Sequence, residues 1–294
     1  MDFDNFIAAA WTDHADNSQA VATRLAAALD RIESPANVAP FVALVTHVYG
    51  EHLGSWDDGL AVLDAVRSLP SVNGDQAAAG AVGRGIALLR YAGDKGALPD
   101  TIGRNDRIAV LANAAGALAG RHEFRRAIAA YAEALELAAS GELPAAPAPR
   151  ALAVGGNNLA SALETRSAPD AEETAGMIMA ARGALQYWKI AGTWLEEERA
   201  HYRLARSLLQ AGDAGGALGG ARRCVEVCSA HDAPAFEFFY AHAALAFAQR
   251  AGGHADAYAA ARGDALRFHA QLAPDDAQWC IAELRELDAA ADPA

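Results

Sequence analysis

The chain has 294 residues, of which 53% are hydrophobic and only 7% aromatic, and it carries a formal net charge of −13. That charge argues against non-specific nucleic-acid binding, because phosphates would be repelled, and the abundance of alanine with few aromatics favours close-packed helices over a β-rich core. No apolar stretch is long enough to span a bilayer, no basic segment and apolar run open the chain, and three cysteines without such a leader do not make a disulfide framework, so a cytoplasmic location is expected.

Residues 1–40 read as about two helices with few basic side chains. His14 and Asp16, in Trp11-Thr-Asp-His-Ala-Asp-Asn17, are expected in a loop that caps a helix beginning near Ser18. The segment His47-Val-Tyr-Gly-Glu51-His52 invites comparison with zinc-hydrolase helices. At α-helical pitch, however, only His47 and Glu51 share a face, and His52 lies about 100° further round. The match to H-x-x-E-H fails by one residue, so no metal site is expected there and His52 is expected to be solvated or to cap.

Gly54-Ser-Trp-Asp-Asp-Gly-Leu60 gives a turn followed by small residues, and Gly93-Asp94 repeats the turn 39 residues later. Gly83 and Gly85, flanking Arg84, lie in an Ala-rich helical pattern that close helix contact would explain, as do Gly215 and Gly216 further on. Pro99 and Gly103 leave no room for an ordinary helix between Lys95 and Gly103, which predicts a missing helix and a kink near 94–103.

Between Leu111 and Leu137 the order of small and large residues is most regular. Leu111, Ala114, Ala115 and Leu118 form one helical stripe. Ala127, Ile128, Tyr131, Ala134 and Leu135 form another after a break at His122-Glu123. Ala115 and Ala127 allow close approach, while Phe124 and Tyr131 fill the space beside them, so the pair is a helical hairpin. Gly141–Pro149, with three prolines, is a loop between hairpins. Beyond it the register returns: Asn113, Asn158 and Arg203 are spaced by 45 residues, each followed by a matching apolar core. A turn at Gly212-Asp213 is followed 40 residues later by one at Gly252-Gly253, with Ala217 matched by Ala257.

This internal repeat resembles the tetratricopeptide (TPR) family, most closely its long-helix bacterial variants, over residues 104–271. The resemblance implies an all-α, right-handed TPR-like superhelix, an α-solenoid of about six or seven hairpins. The expected organisation is a single solenoid over 1–294. Its parts are weakly repeat-like helices at 1–40, N-terminal hairpins at 41–140, C-terminal hairpins at 150–271 and a capping helix at 275–288.

In TPR proteins the first helix of each hairpin lines a concave groove. Transferring that face nominates Asn113, Asn158, Arg199, Tyr202, Arg203, Arg206 and His242, with Arg84 at a comparable place. An Asn amide can hold a peptide main chain and an Arg can grip a carboxylate. Asn158, Arg199 and Arg203 partly resemble the carboxylate clamp of chaperone-binding TPR domains, but Ala112 and Gly116 stand where that clamp needs a Lys and an Asn. The competing reading pairs these arginines with acids such as Glu196–Glu198 along their own helix. The aromatics Phe236, Phe238, Phe239 and Tyr240 are expected as core between hairpins, with Phe239 the one placed so that it could instead face the groove.

Cys224 and Cys228 share a helix face with His231 nearby, yet Cys224 falls where a hairpin needs a small core residue. Neither a phosphate-binding loop nor a nucleophile elbow occurs. The sequence thus predicts an adaptor or scaffold that binds an extended peptide or partner helix, for which the arginines make an acidic group a suitable feature. It predicts no catalytic residues, metal, cofactor, nucleic-acid or membrane partner, and it leaves the oligomeric state open. Two alternatives are a peptide-sensing regulator acting through a separate output protein and a metal-binding or enzymatic repeat protein.

Overall fold

Residues 2–289 are described in the computed structural model, and every regular element among them is helical. The chain divides into two compact units, Met1–Ala162 and Leu163–Ala294. No helix among the described residues is long and apolar enough to cross a membrane.

In the first unit, α1 (Phe3–Ala26) begins where the Asp2 carboxylate caps the Asn5 amide at 2.8 Å. It runs helical through His14 and Asp16, with only Asn17 departing from helical geometry. His14 and Asp16 thus stand on a helix and not in the expected loop, while the break at Asn17 leaves a helical run starting at Ser18, as expected, with Val21, Ala22 and Leu25 buried on it. Next comes α2 (Pro35–Val45), started by reciprocal Ser34 and Asn37 hydrogen bonds. It passes directly into a π-helical segment, Thr46–Leu53, which stops at Gly54 in the left-handed region, φ 64°. Then follow α3 (Trp56–Arg67), α4 (Gln76–Ala92), α5 (Arg104–Gly120), α6 (Phe124–Ala139) and α7 (Ala148–Glu164), whose last residues, Leu163 and Glu164, belong to the second unit. As Pro99 and Gly103 predict, no helix lies between Lys95 and Gly103.

Burial on α5 exceeds the predicted stripe. From Ile108 to Ala119 every residue except Asn113 is buried, because α4, α6 and the π-helical segment all pack around it. Such all-round contact needs small residues. A Cβ on Gly155 of α7 would stand 2.3 Å from the Ala112 carbonyl oxygen, and one on Gly85 of α4 would stand 2.6 Å from Val42 Cγ1. Gly83, by contrast, faces open space. The predicted close contact therefore applies to Gly85 and not to Gly83.

The second unit contains α8 (Ala171–Ala191), α9 (Trp194–Gln210), α10 (Ala214–Ala230), α11 (Ala235–Ala251), α12 (Ala255–His269), the short α13 (Pro274–Ala277) and α14 (Ile281–Asp288). Neither Gly215 nor Gly216 supports a helix contact. Gly215 meets little beyond the Asp213 side chain, and a Cβ on Gly216 would collide with the Asp213 carboxylate that caps α10. The close approach of α9 and α10 is at Gly220, opposite Ala205.

One turn device recurs in both units. After α4, α5, α9, α10 and α11 a residue with positive φ stands at Asp94, His122, Gly212, Asp232 or Gly253. In each case the next amide bonds back to the carbonyl five residues before it: Lys95 to Arg90, Glu123 to Leu118, Asp213 to Leu208, Ala233 to Cys228 and His254 to Gln249, at 2.8–3.0 Å. This closure satisfies the last helical carbonyls and reverses the chain within two or three residues. Helix starts at Arg104, Ala148, Trp194 and Ala235 carry the repeat register seen in the sequence.

Candidate functional site

The nominated groove residues of the first unit are accessible. Asn113 is the one exposed residue on the core-wrapped stretch of α5. It borders a depression of about 140 Å³ whose lining includes Val42, Ala43, Thr46, Arg84 and Leu88, from α2, the π-helical segment and α4. Arg84 is half-buried and donates to Asp106 at 2.9 Å. Asn158 is half-buried beside Asn157, whose amide lies 3.4 Å from its Oδ1.

Arg199, Arg203 and Arg206 of the second unit already have close partners from other elements, and on Arg199 the charges of Glu198 and Glu196 act after that of Glu237. Arg199 grips Glu237 of α11 with two nitrogens, at 2.5 and 3.2 Å, and these bonds raise its pKa further. Arg203 pairs with Glu164, which also accepts from Ser207 at 2.6 Å. Glu286 of α14 takes Arg206 at 2.8 Å and Arg250 at 3.3 Å, and Tyr202 donates its hydroxyl to Glu283 at 2.8 Å. Burial pushes the Tyr202 phenol well above its ordinary pKa, so it acts as a donor. The arginines sit on helical spacing, but their acids are supplied by elements far away in sequence.

Helix α14 thus lies on the face of α9 and α11 nominated as groove. Its Leu287 is fully buried in a cluster with Phe239, Ala243, Phe247, Ala261 and Cys280. Phe239, the aromatic that could have faced an open groove, is fully buried, because residues after Ala270 cover that side of α11. His242 is half-buried beside the rings of Phe238 and Phe268, which stack on one another with centroids 4.6 Å apart. Burial lowers its pKa against the weaker pull of Asp264.

Cys224 is fully buried as the repeat register requires, and Cys228 and Cys280 are buried too. Burial raises all three thiols, Cys280 to about 11. His231 stacks on Trp194, ring centroids 5.0 Å apart. Next to Cys224, Glu198 is 1% exposed, its side chain set against those of Glu237 and Cys224. Burial, with the charge of Glu237, raises its pKa from 4.5 to about 8.

A second site sits in the first unit, where the sequence predicted none. The segment Thr46–Leu53 is π-helical, with wider turns than an α-helix, so residues five apart share a face. His52 is therefore not a quarter-turn away from His47: their Nε2 atoms are 3.1 Å apart. The part of α1 before the Asn17 kink brings His14 to the same place, with ring centroids 4.8 Å from His47 and 5.0 Å from His52. One nitrogen from each of the three rings falls within 4.8 Å of the others, and all three side chains are half-buried. Among the described residues this is the one such group of His, Cys, Asp or Glu. Glu51 accepts from His47 Nδ1 at 2.8 Å, and the Trp11 carbonyl oxygen is 2.5 Å from His14 Nδ1. Arg121 ties the His52 carbonyl at 2.8 Å. Burial first, then the neighbouring His47, lowers the His52 pKa.

No protein-family model matches the chain, and no curated protein matches it.

Proposed function

We propose that the chain is a TPR-like interaction scaffold that acts in the cytoplasm and binds an amphipathic helix or extended peptide carrying an acidic group. The observation supporting this reading is the seat of α14. On the α9–α11 face, the protein's own helix places Glu283 and Glu286 on Tyr202 and Arg206 and buries Leu287 between them and the core. Apolar anchors on one side of a short helix, with carboxylates reaching cations beside it, are the ordinary chemistry of helix-in-groove recognition.

The first unit offers a face of similar chemistry that none of its own described helices fills. Val42 and Leu88 supply an apolar floor, Asn113 a donor and acceptor, and Arg84 a cation whose present partner, Asp106, is half-exposed. An incoming carboxylate would compete with Asp106 for that guanidinium. The test selects peptides from a random displayed library on the full chain and measures their affinity for the wild type, Asn113→Ala, Arg84→Ala and the blocking variant Ala43→Trp. Acidic amphipathic peptides weakened about tenfold or more, roughly 1.4 kcal/mol, by each change are expected. Peptides that bind all four proteins equally would overturn the proposal.

A further inference from the structure

We propose that His14, His47 and His52 bind one divalent transition-metal ion of the zinc class, with Glu51 holding His47 in the tautomer that presents Nε2. The two closest nitrogens carry the geometric argument. Zn–N bonds of 2.0–2.1 Å at a tetrahedral angle separate two ligating nitrogens by about 3.3 Å. His47 Nε2 and His52 Nε2 stand 3.1 Å apart, facing one another across rings set at 85°. His14 approaches from a different helix, and its 4.8 Å limit requires only a small closing movement of one ring on α1.

The surrounding contacts are those of ligands with their outer partners already in place. A metal-ligating imidazole ordinarily donates its other N–H to a carboxylate or a backbone carbonyl, which fixes the tautomer. His47 Nδ1 has Glu51, and His14 Nδ1 has the Trp11 carbonyl. Glu51 is itself confined: a Cβ on Gly120 of α5 would stand 2.4 Å from its Cγ. Imidazole ligands suit zinc, copper and nickel rather than magnesium or calcium. Three imidazoles leave a fourth tetrahedral position for water, the coordination of an open site. The π-helical turn that creates the i, i+5 pair is of the kind that recurs at functional sites.

Trp11 provides a reporter. Its ring centroid is 5.1 Å from that of His47 and 5.2 Å from that of His14, close enough for a paramagnetic ion to quench it. The experiment uses the untagged full chain, stripped with chelator. Zn²⁺ is titrated by calorimetry, Co²⁺ by its visible spectrum and Cu²⁺ by tryptophan quenching. One equivalent per chain is expected, with a Co²⁺ spectrum of nitrogen ligation and quenching that Trp11→Phe reduces.

His47→Ala and His52→Ala should each weaken binding at least about a hundredfold, and Glu51→Gln about ten- to a hundredfold. His122→Asn, distant in sequence and exposed, should change nothing. Should an alanine variant fail to fold, the Glu51→Gln affinity and the Trp11→Phe quenching still decide. Sub-stoichiometric binding, or affinity indifferent to His47, His52 and Glu51, overturns the assignment.

Discussion

Replacing Glu198 by Gln should flatten the pH dependence of stability between pH 5 and 9. Glu198 is buried beside Glu237, and burial together with that neighbouring carboxylate holds its carboxyl protonated up to about pH 8, against 4.5 for the free group. The sign follows from linkage. A group whose folded pKa is raised contributes its full stability below 4.5 and loses it as pH rises through about 8. Each pH unit inside that window removes about 1.4 kcal/mol, so the loss from pH 5 to 8 is on the order of 4 kcal/mol if nothing relaxes. Gln keeps the shape and cannot ionise. Urea unfolding monitored by circular dichroism at each pH should therefore give a small difference between the two proteins at pH 5. By pH 8.5 the variant should be more stable than the wild type by several kcal/mol. Every other ionisable group is the same in both proteins and cancels in the comparison. A difference constant across the range would refute the reasoning, because Glu198 would then ionise as an ordinary carboxylate.

Three further outcomes follow from the packing. Among the glycines, Gly83→Ala should raise stability by about 0.5–1 kcal/mol, since it removes helix-interior flexibility into open space. Gly85→Ala and Gly155→Ala should lower it by roughly 1–3 kcal/mol by forcing helices apart; thermal melts of all three check the order. Leu287→Ala should cost about 2–5 kcal/mol locally and release α14, read as faster amide exchange over residues 281–288 with residues 104–139 unchanged. Cys224 and Cys228, buried with raised thiol pKa values, should resist Ellman's reagent at pH 8 in the native chain and react once it is unfolded.

The helices and their turns were legible because they rest on local rules. Gly212, Gly253 and the Gly93-Asp94 turn mark left-handed closures, and Pro99 with Gly103 marks a gap, whatever the rest of the chain does. The arginine series was legible as positions but not as partners. Periodicity on α9 aligns Arg199, Arg203 and Arg206, whereas their carboxylates at Glu237, Glu164 and Glu286 come from other helices. The surroundings of Phe239 were hidden for the same reason, since its burial depends on where α14 lands.

The histidine site was hidden by a different cause. Reading His47 to His52 at α-helical pitch separates the two rings, and that inference is sound for any helix with 3.6 residues per turn. What it lacked was the change of pitch at Thr46–Leu53. Here Gly50 admits Trp56, Leu89 and Ala117 to within 3.2–3.6 Å of where its Cβ would stand. Downstream, Arg121 donates to the His52 carbonyl, taking up a backbone acceptor at the end of the segment. Leu89, Ala117 and Arg121 reach the segment only when the unit is folded, whereas Trp56 and the left-handed Gly54 are its immediate neighbours in the chain. His14 too comes from another helix, so the three-histidine site exists only in the folded protein.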